Sequence, residues 1–204
     1  MKKLITMMAL MMCFVGIGFA QEKFATYDNT YINKTYDISI NVENDDKFTL
    51  YINAMSVDEI HETGGFMINE KEYQKFIDAL QSASLKYQEW DSIARLNNVV
   101  ELNKKMTDIK CKAGGYFLYY DEWKFQFFLI PTFSFLILES NNEIKRLLIV
   151  GSGQMTASSN QYMDVDGVML VFSSIVEIQD FINLISISKI NEFKNQPKKE
   201  DLFK

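Results

Sequence analysis

The chain has 204 residues, 48 % of them hydrophobic, with 27 acidic against 21 basic side chains, one histidine and two cysteines. That is enough chain for one domain with a sizeable core and too little for two comfortable ones. A net charge of −6, with no Lys/Arg run longer than a pair such as Lys198-Lys199 near the end and no basic amphipathic helix, opposes binding to nucleic acid or to anionic membrane.

The first twenty residues have three regions in secretory order. Lys2 and Lys3 open the chain, an apolar run covers residues 4–15, and Gly16, Gly18 and Ala20 supply small residues before a cut. A run of roughly a dozen residues is short of the about 20 that a membrane span needs. Cleavage after Ala20 is therefore expected, with no membrane span afterwards. The mature chain is expected in a bacterial periplasm, on the cell surface or secreted. Cys13 raises the alternative of a lipoprotein, but Met12 is too large for the position before a lipidated cysteine, and Cys13 sits inside the apolar run. Cleavage leaves 184 residues, 19 of them basic and 27 acidic, for a net charge of −8. Only Cys111 remains of the cysteines, so an intramolecular disulfide is impossible and stability falls to core packing.

Residues 21–34 read as a lead-in segment and residues 35–194 as a single α+β domain. Tyr36, Ile38, Ile40 and Val42 alternate with polar residues, as do Phe48, Leu50, Ile52 and Ala54 beyond the Asn44-Asp45-Asp46 turn. The pair predicts a hairpin. Gly64-Gly65 is expected to break the chain before Phe66-Met67-Ile68. Asn69 is a candidate N-cap, with Glu70 and Glu72 in the first turn of a helix that either runs unbroken to about Arg95 or breaks near Ser82–Ser84. Its apolar stripe runs through Tyr73, Phe76, Ile77, Leu80, Tyr87, Trp90 and Ala94.

Residues 107–150 read as a β-meander with strands at 107–112, 116–120, 123–129, 132–139 and 143–150. Asp121-Glu122 and Asn141-Asn142 serve as turns, and Pro131 marks a bend. A further strand is expected at 168–172. Ser173-Ser174 then caps a second helix that buries Ile175, Ile178, Phe181, Ile182 and Ile185. The polar tail 195–204, which contains Pro197, is expected to be disordered.

The segment from Glu72 to Asp78 matches that from Glu177 to Asn183 at an offset of 105 residues. The match is either a coincidence between two amphipathic helices built of common residues or the mark of two meander–helix halves; such halves make an antiparallel meander sheet with two amphipathic helices packed on one face. The plan is similar to that of Whirly-type duplicated meander–helix folds, a likeness of architecture that implies no function.

Catalytic signatures do not assemble. Asp58-Glu59-Ile60-His61-Glu62 lacks the second histidine of a zinc-protease helix, because His61 is the only histidine in the chain. A Cys111–His61 dyad would need an exposed, acidified thiol. Cys111 instead shares the apolar face of Ile109, with Lys110 and Lys112 pointing away, and reads as a buried, inert thiol. Asp164-Val165-Asp166-Gly167 lacks the remaining oxygens of a calcium loop and reads as a turn. Gly151-Ser152-Gly153 lacks the lysine of a phosphate loop and the pattern of a nucleophile elbow, and reads as a hairpin loop. No metal site and no cofactor is expected.

The remaining feature is aromatic. Trp123, Phe125 and Phe127 share one face of a strand, with Lys124, Gln126 and Phe128 on the other, and Tyr116, Leu118 and Tyr120 oppose Phe117 and Tyr119 next door. Strands apolar on both faces leave one sheet face for loops to cover or for a ligand. Tyr119, Tyr120 and Trp123, around the expected turn, are the candidate ligand-binding residues, suited to stacking on a sugar ring or seating a protein partner. The function expected is a non-enzymatic exported binding domain with a protein or glycan ligand. One alternative is a carboxylate-based hydrolase, with or without a metal, acting on cell-envelope or glycan substrates. The other is a structural homodimer joined by the same apolar face.

Overall fold

The computed structural model describes residues 21–44, 47–57 and 63–196. The leader 1–20, His61 with its neighbours, and residues 197–204 of the tail lie outside the described residues. In chain order the first half contains β1 (Glu22–Asn29), β2 (Lys34–Asn44), β3 (Lys47–Asn53), β4 (Met55–Ser56), β5 (Gly64–Asn69) and helix α1 (Glu70–Leu96). The second contains β6 (Leu102–Lys105), β7 (Ala113–Tyr119), β8 (Glu122–Leu129), β9 (Thr132–Ser140), β10 (Glu143–Gly151), β11 (Met155–Thr156), β12 (Asp164–Val165) and β13 (Val168–Phe172). Helices α2 (Ile175–Leu184) and α3 (Ile187–Lys194) follow.

The fold is α+β with antiparallel strands in meander order. One sheet has the order β1-β2-β3-β5-β7-β8, a second the order β4-β13-β10-β9-β6, and β11 pairs with β12. The hairpin register places Ile38 opposite Ile52 and Ile40 opposite Leu50, so both apolar rows reach one face and are fully buried. That face, the inner face of the second sheet and the apolar sides of the helices share one core.

Helix α1 forms for the reasons legible in its residues. Asn69, with extended backbone, accepts a hydrogen bond from the Glu72 N–H at 3.1 Å, and Glu70 and Glu72 complement the positive helix end. Its length of about 40 Å, at ~1.5 Å per residue, lets it serve both sheets. Tyr73 packs edge-on against Phe48 of β3, while Tyr87 and Trp90 pack against Phe135 of β9. The Tyr87 hydroxyl lies within hydrogen-bond distance of the carbonyls of Arg146 and Ser173, 3.0 and 3.1 Å away, which ties the helix to β10 and to the start of α2.

The internal match has a structural counterpart. Ser174 caps α2 by accepting from the Glu177 N–H at 3.2 Å, as Asn69 does for Glu72, 105 positions earlier. Each capped helix follows a short apolar strand, β5 or β13. The two helices touch, and the Tyr73 hydroxyl donates to the Ile185 carbonyl at 2.9 Å.

Several local expectations change. The strands divide between two sheets: β4 and β6 cross briefly to the second, and the chain leaves the first for good at Ile130-Pro131, where proline cannot donate a ladder bond. Residues 107–112, expected as a strand, are turn and irregular backbone, with the Ile109 N–H bonded back to the Met106 carbonyl. Ile109 and Cys111 are nonetheless buried, so their two-residue spacing reports burial without a ladder. The strand in this region is β6, where only Leu102 is partly buried and no alternation signals it. Gly64 and Gly65 lie within β5 and do not break it. The β7–β8 turn is made by Tyr120 and Asp121, with φ of 47° and 64°, and Glu122 already belongs to β8. Asn141 and Asn142 form the other turn as expected, both left-handed, which suits a two-residue hairpin.

Candidate functional site

Sheet register decides which side chains face out. In the six-stranded sheet, Ile52 lies opposite Phe66, and Phe66 opposite Gly115, on the core side. Tyr51 opposite Met67, Tyr116 opposite Phe125, and Leu118 opposite Trp123 occupy the other side. Tyr51 and Tyr116 are buried there without joining the main core, because their rings pack against each other at 5.5 Å. The Tyr116 hydroxyl bonds Asn53 Oδ1 at 2.6 Å, and its ring meets Trp123 at 5.7 Å. Burial raises the Tyr116 pKa well above the usual phenol range, with a further push from Tyr51, so it stays a neutral spacer under Trp123.

The outward row becomes more exposed towards β8, which is an edge strand. Trp123 is 49 % exposed, Phe127 70 %, Phe128 55 % and Ile130 52 %, with Tyr120 at 86 % in the adjacent turn. A β-bulge explains the adjacent pair of exposed phenylalanines. Between Ala113 opposite Leu129 and Gly115 opposite Gln126, β8 has one residue more than β7, so Phe127 and Phe128 both stand against Gly114. Strict alternation, which assigns Phe128 to the Lys124 face, fails at this bulge, and Leu129 turns back into the core.

The outer edge of β8 is closed by the loop after β11. The Ser158 N–H donates to the Phe125 carbonyl at 2.8 Å, Ser158 Oγ accepts from the Phe127 N–H at 3.1 Å, and Gln126 Oε1 accepts from the Thr156 N–H at 3.0 Å. Backbone groups that would template another strand at Phe125 and Phe127 are thereby occupied. The aromatic side chains stay accessible.

The three residues expected at the site do not share one face. Trp123 stands on the outer face with Tyr116, whereas Tyr119 lies beside Phe117 on the opposite face, and Tyr120 sits in the turn with its ring edge-on to Tyr119 at 4.8 Å. Phe127, Phe128 and Ile130 extend the row beyond Trp123. The available sequence signal was the Gly114-Gly115 pair, which marks a place where a neighbouring strand can bulge. The second sheet also has an outward apolar row, with Leu136, Leu138, Ile149 and Met169 half-buried around Leu147 and Val171. That row is less exposed.

The polar candidates are engaged structurally. Ser152 is buried; its Oγ donates to the Gly153 carbonyl and accepts from the Val168 N–H. Gly167, at φ of 106°, closes the turn after Asp166, and its carbonyl accepts from the Val57 N–H. Among the described residues, no three His, Cys, Asp or Glu side chains converge as metal ligands would. No helix among them is long and apolar enough to cross a membrane.

Cys111 is buried, and desolvation with the nearby Glu72 charge pushes its thiol up to about 12. A thiol so shifted stays protonated through neutral and mildly alkaline pH, and the thiolate is the reacting species. A thiol reagent at pH about 8 is therefore expected to label folded protein, freed of its leader, far more slowly than denatured protein, where the pKa returns to ~8.5. Rapid labelling of the folded chain would show the thiol to be accessible.

No family model matches the chain. Neither a curated protein nor a solved structure matches it. The chemistry open to the β8 strip is stacking and apolar contact, with the Asp121 and Glu122 charges at one end and Lys112, poised over the Phe128 ring, at the other.

Proposed function

We propose that the chain is an exported, non-enzymatic interaction domain of a bacterial envelope that holds its partner against the aromatic strip of β8. The observation that carries this reading is the run of half-exposed to exposed apolar side chains from Tyr120 through Trp123, Phe127 and Phe128 to Ile130 on a hydrogen-bonded edge. Monomeric soluble proteins seldom leave such a contiguous patch without a use. Supporting export, the leader has the three-part order of a cleavable signal. Aromatic side chains concentrated at one patch are those that dominate recognition sites.

Trp90 and Trp123 are the only two tryptophans, so Trp90→Phe leaves Trp123 as a single reporter in the strip. Its emission is to be followed against oligosaccharides, peptidoglycan fragments, peptides and divalent metals, and against dilution of the protein itself. A partner on the strip shifts the emission and raises the melting temperature by mass action, equivalent to about 2.7 kcal/mol at a hundredfold excess over Kd. Phe127→Ala abolishes that response while leaving the fold intact. Emission indifferent to every ligand and to dilution, in a cooperatively folded protein, would overturn the reading.

A further inference from the structure

We propose that the partner of the β8 strip is a second copy of this chain, docked antiparallel along β8 about a two-fold axis passing near Phe125. The inference rests on the interaction-domain reading above and names its partner.

Charge placement favours this occupant. Glu122 is paired with Lys124 within its own strand, which leaves Asp121 as the outlying charge at the turn end of the strip. At the other end Lys112, one residue before the Ala113–Leu129 pair, lies over the Phe128 ring. Between them the closing loop offers only Ser158, Ser159, Asn160, Gln161 and Tyr162, all uncharged. The strip is thus acidic at one end, basic at the other and neutral along its length of about 25 Å, at ~3.3 Å per strand residue. Such a pattern is complementary to itself under a two-fold axis, as an isologous interface requires. Asp121 of each copy then approaches Lys112 of the other, Trp123 meets Phe127, and Tyr120 meets Ile130. A parallel arrangement would set Asp121 against Asp121 and Lys112 against Lys112.

The available area is of the right size. The exposed parts of Tyr120, Trp123, Phe127, Phe128 and Ile130 amount to roughly 600 Å² at about 200 Å² per large side chain, an apolar centre to which a polar rim adds. A specific interface buries about 800 Å² per partner. The hydrogen bonds from Ser158 also set the mode of contact. Continuous strand-to-strand addition is blocked at Phe125 and Phe127, so the copies meet through side chains and the pair closes as a dimer.

The test is sedimentation of the full chain, expressed with its leader and collected after export, across a dilution series. The expected result is a dimer at micromolar concentration that dissociates on dilution. Asp121→Lys and Lys112→Asp each weaken it by about tenfold, and combining them restores it, because the reversed pair is again complementary. Trp123→Ala weakens it at least as much. All of these side chains are exposed or half-exposed, and lysine at the left-handed Asp121 position adds only a modest backbone strain, so cooperative melting of the diluted variants confirms intact folding. A monomer at every concentration, or a dimer indifferent to these substitutions, overturns the inference. If that monomer still shifts its Trp123 emission with an envelope ligand, the broader reading survives; if Trp123 is silent as well, both fall.

Discussion

Replacing Gly65 by alanine is expected to cost about 3 kcal/mol or more of folding stability. Gly65 lies in β5 between Asn53 of β3 and Tyr116 of β7. A Cβ there would sit 2.0 Å from the Ile52 carbonyl oxygen and 2.7 Å from the Tyr116 hydroxyl. Neither neighbour yields easily. Ile52 is fully buried within the ladder of a central strand, and the Tyr116 hydroxyl is held by Asn53 Oδ1. The strand must shift, which disturbs pairing on both sides and the platform beneath Trp123. Gly151→Ala is the control: its added Cβ meets only the Thr132 hydroxyl, at 3.3 Å, and is expected to cost below about 1 kcal/mol. Denaturant unfolding of both variants checks the difference, and equal costs would show that β5 accommodates the methyl group.

Phe135→Ala is expected to destabilise by about 3–5 kcal/mol. The side chain is fully buried on β9, and its ring meets those of Tyr87 and Trp90 where α1 crosses the second sheet. Its removal opens a cavity at the contact that joins the helix to that sheet, and both aromatic partners lose packing atoms. Phe127→Ala removes the same group from an exposed site and is expected to change monomer stability by no more than about 0.5 kcal/mol. Urea midpoints measured under dilute, monomeric conditions separate the two. A small loss for Phe135→Ala would mean that the helix closes over the gap.

Legibility in the sequence followed periodicity and cap chemistry. The β2–β3 hairpin showed because Ile38 and Ile40 alternate with polar residues on a half-buried sheet, and each face leaves its own period. Helix α1 showed because Asn69, Glu70 and Glu72 stand where orphan N–H groups and the helix dipole favour them. The repeated cap at Ser174 and Glu177 was legible for the same reason. Strand β6 was not, because Leu102-Asn103-Lys104-Lys105 is an edge with one partly buried side chain and therefore no alternation. Residues 107–112 misled in the opposite sense, since two buried side chains two positions apart arise without a ladder.

The candidate site was half legible. The run of aromatics in residues 116–128 signalled strands apolar on both faces, and Trp123 was correctly placed on a face with Phe125 and Phe127. The opposed faces of Trp123 and Tyr119 agree with the alternation, and only the turn falls one residue earlier than expected, at Tyr120-Asp121.

The α+β class, the core-facing rows and the capped helices were settled by the residues themselves. These follow from local periodicity and cap chemistry, which need no knowledge of neighbours. Tertiary structure settled that β4, β6 and the long strands after Pro131 make a second sheet, that β8 lies at an edge, and that a bulge opposite Gly114 leaves Phe127 and Phe128 exposed. It also decided that Ser158 closes that edge. Strand order and register depend on which distant segments pair, and one inserted residue reverses the face of every side chain after it.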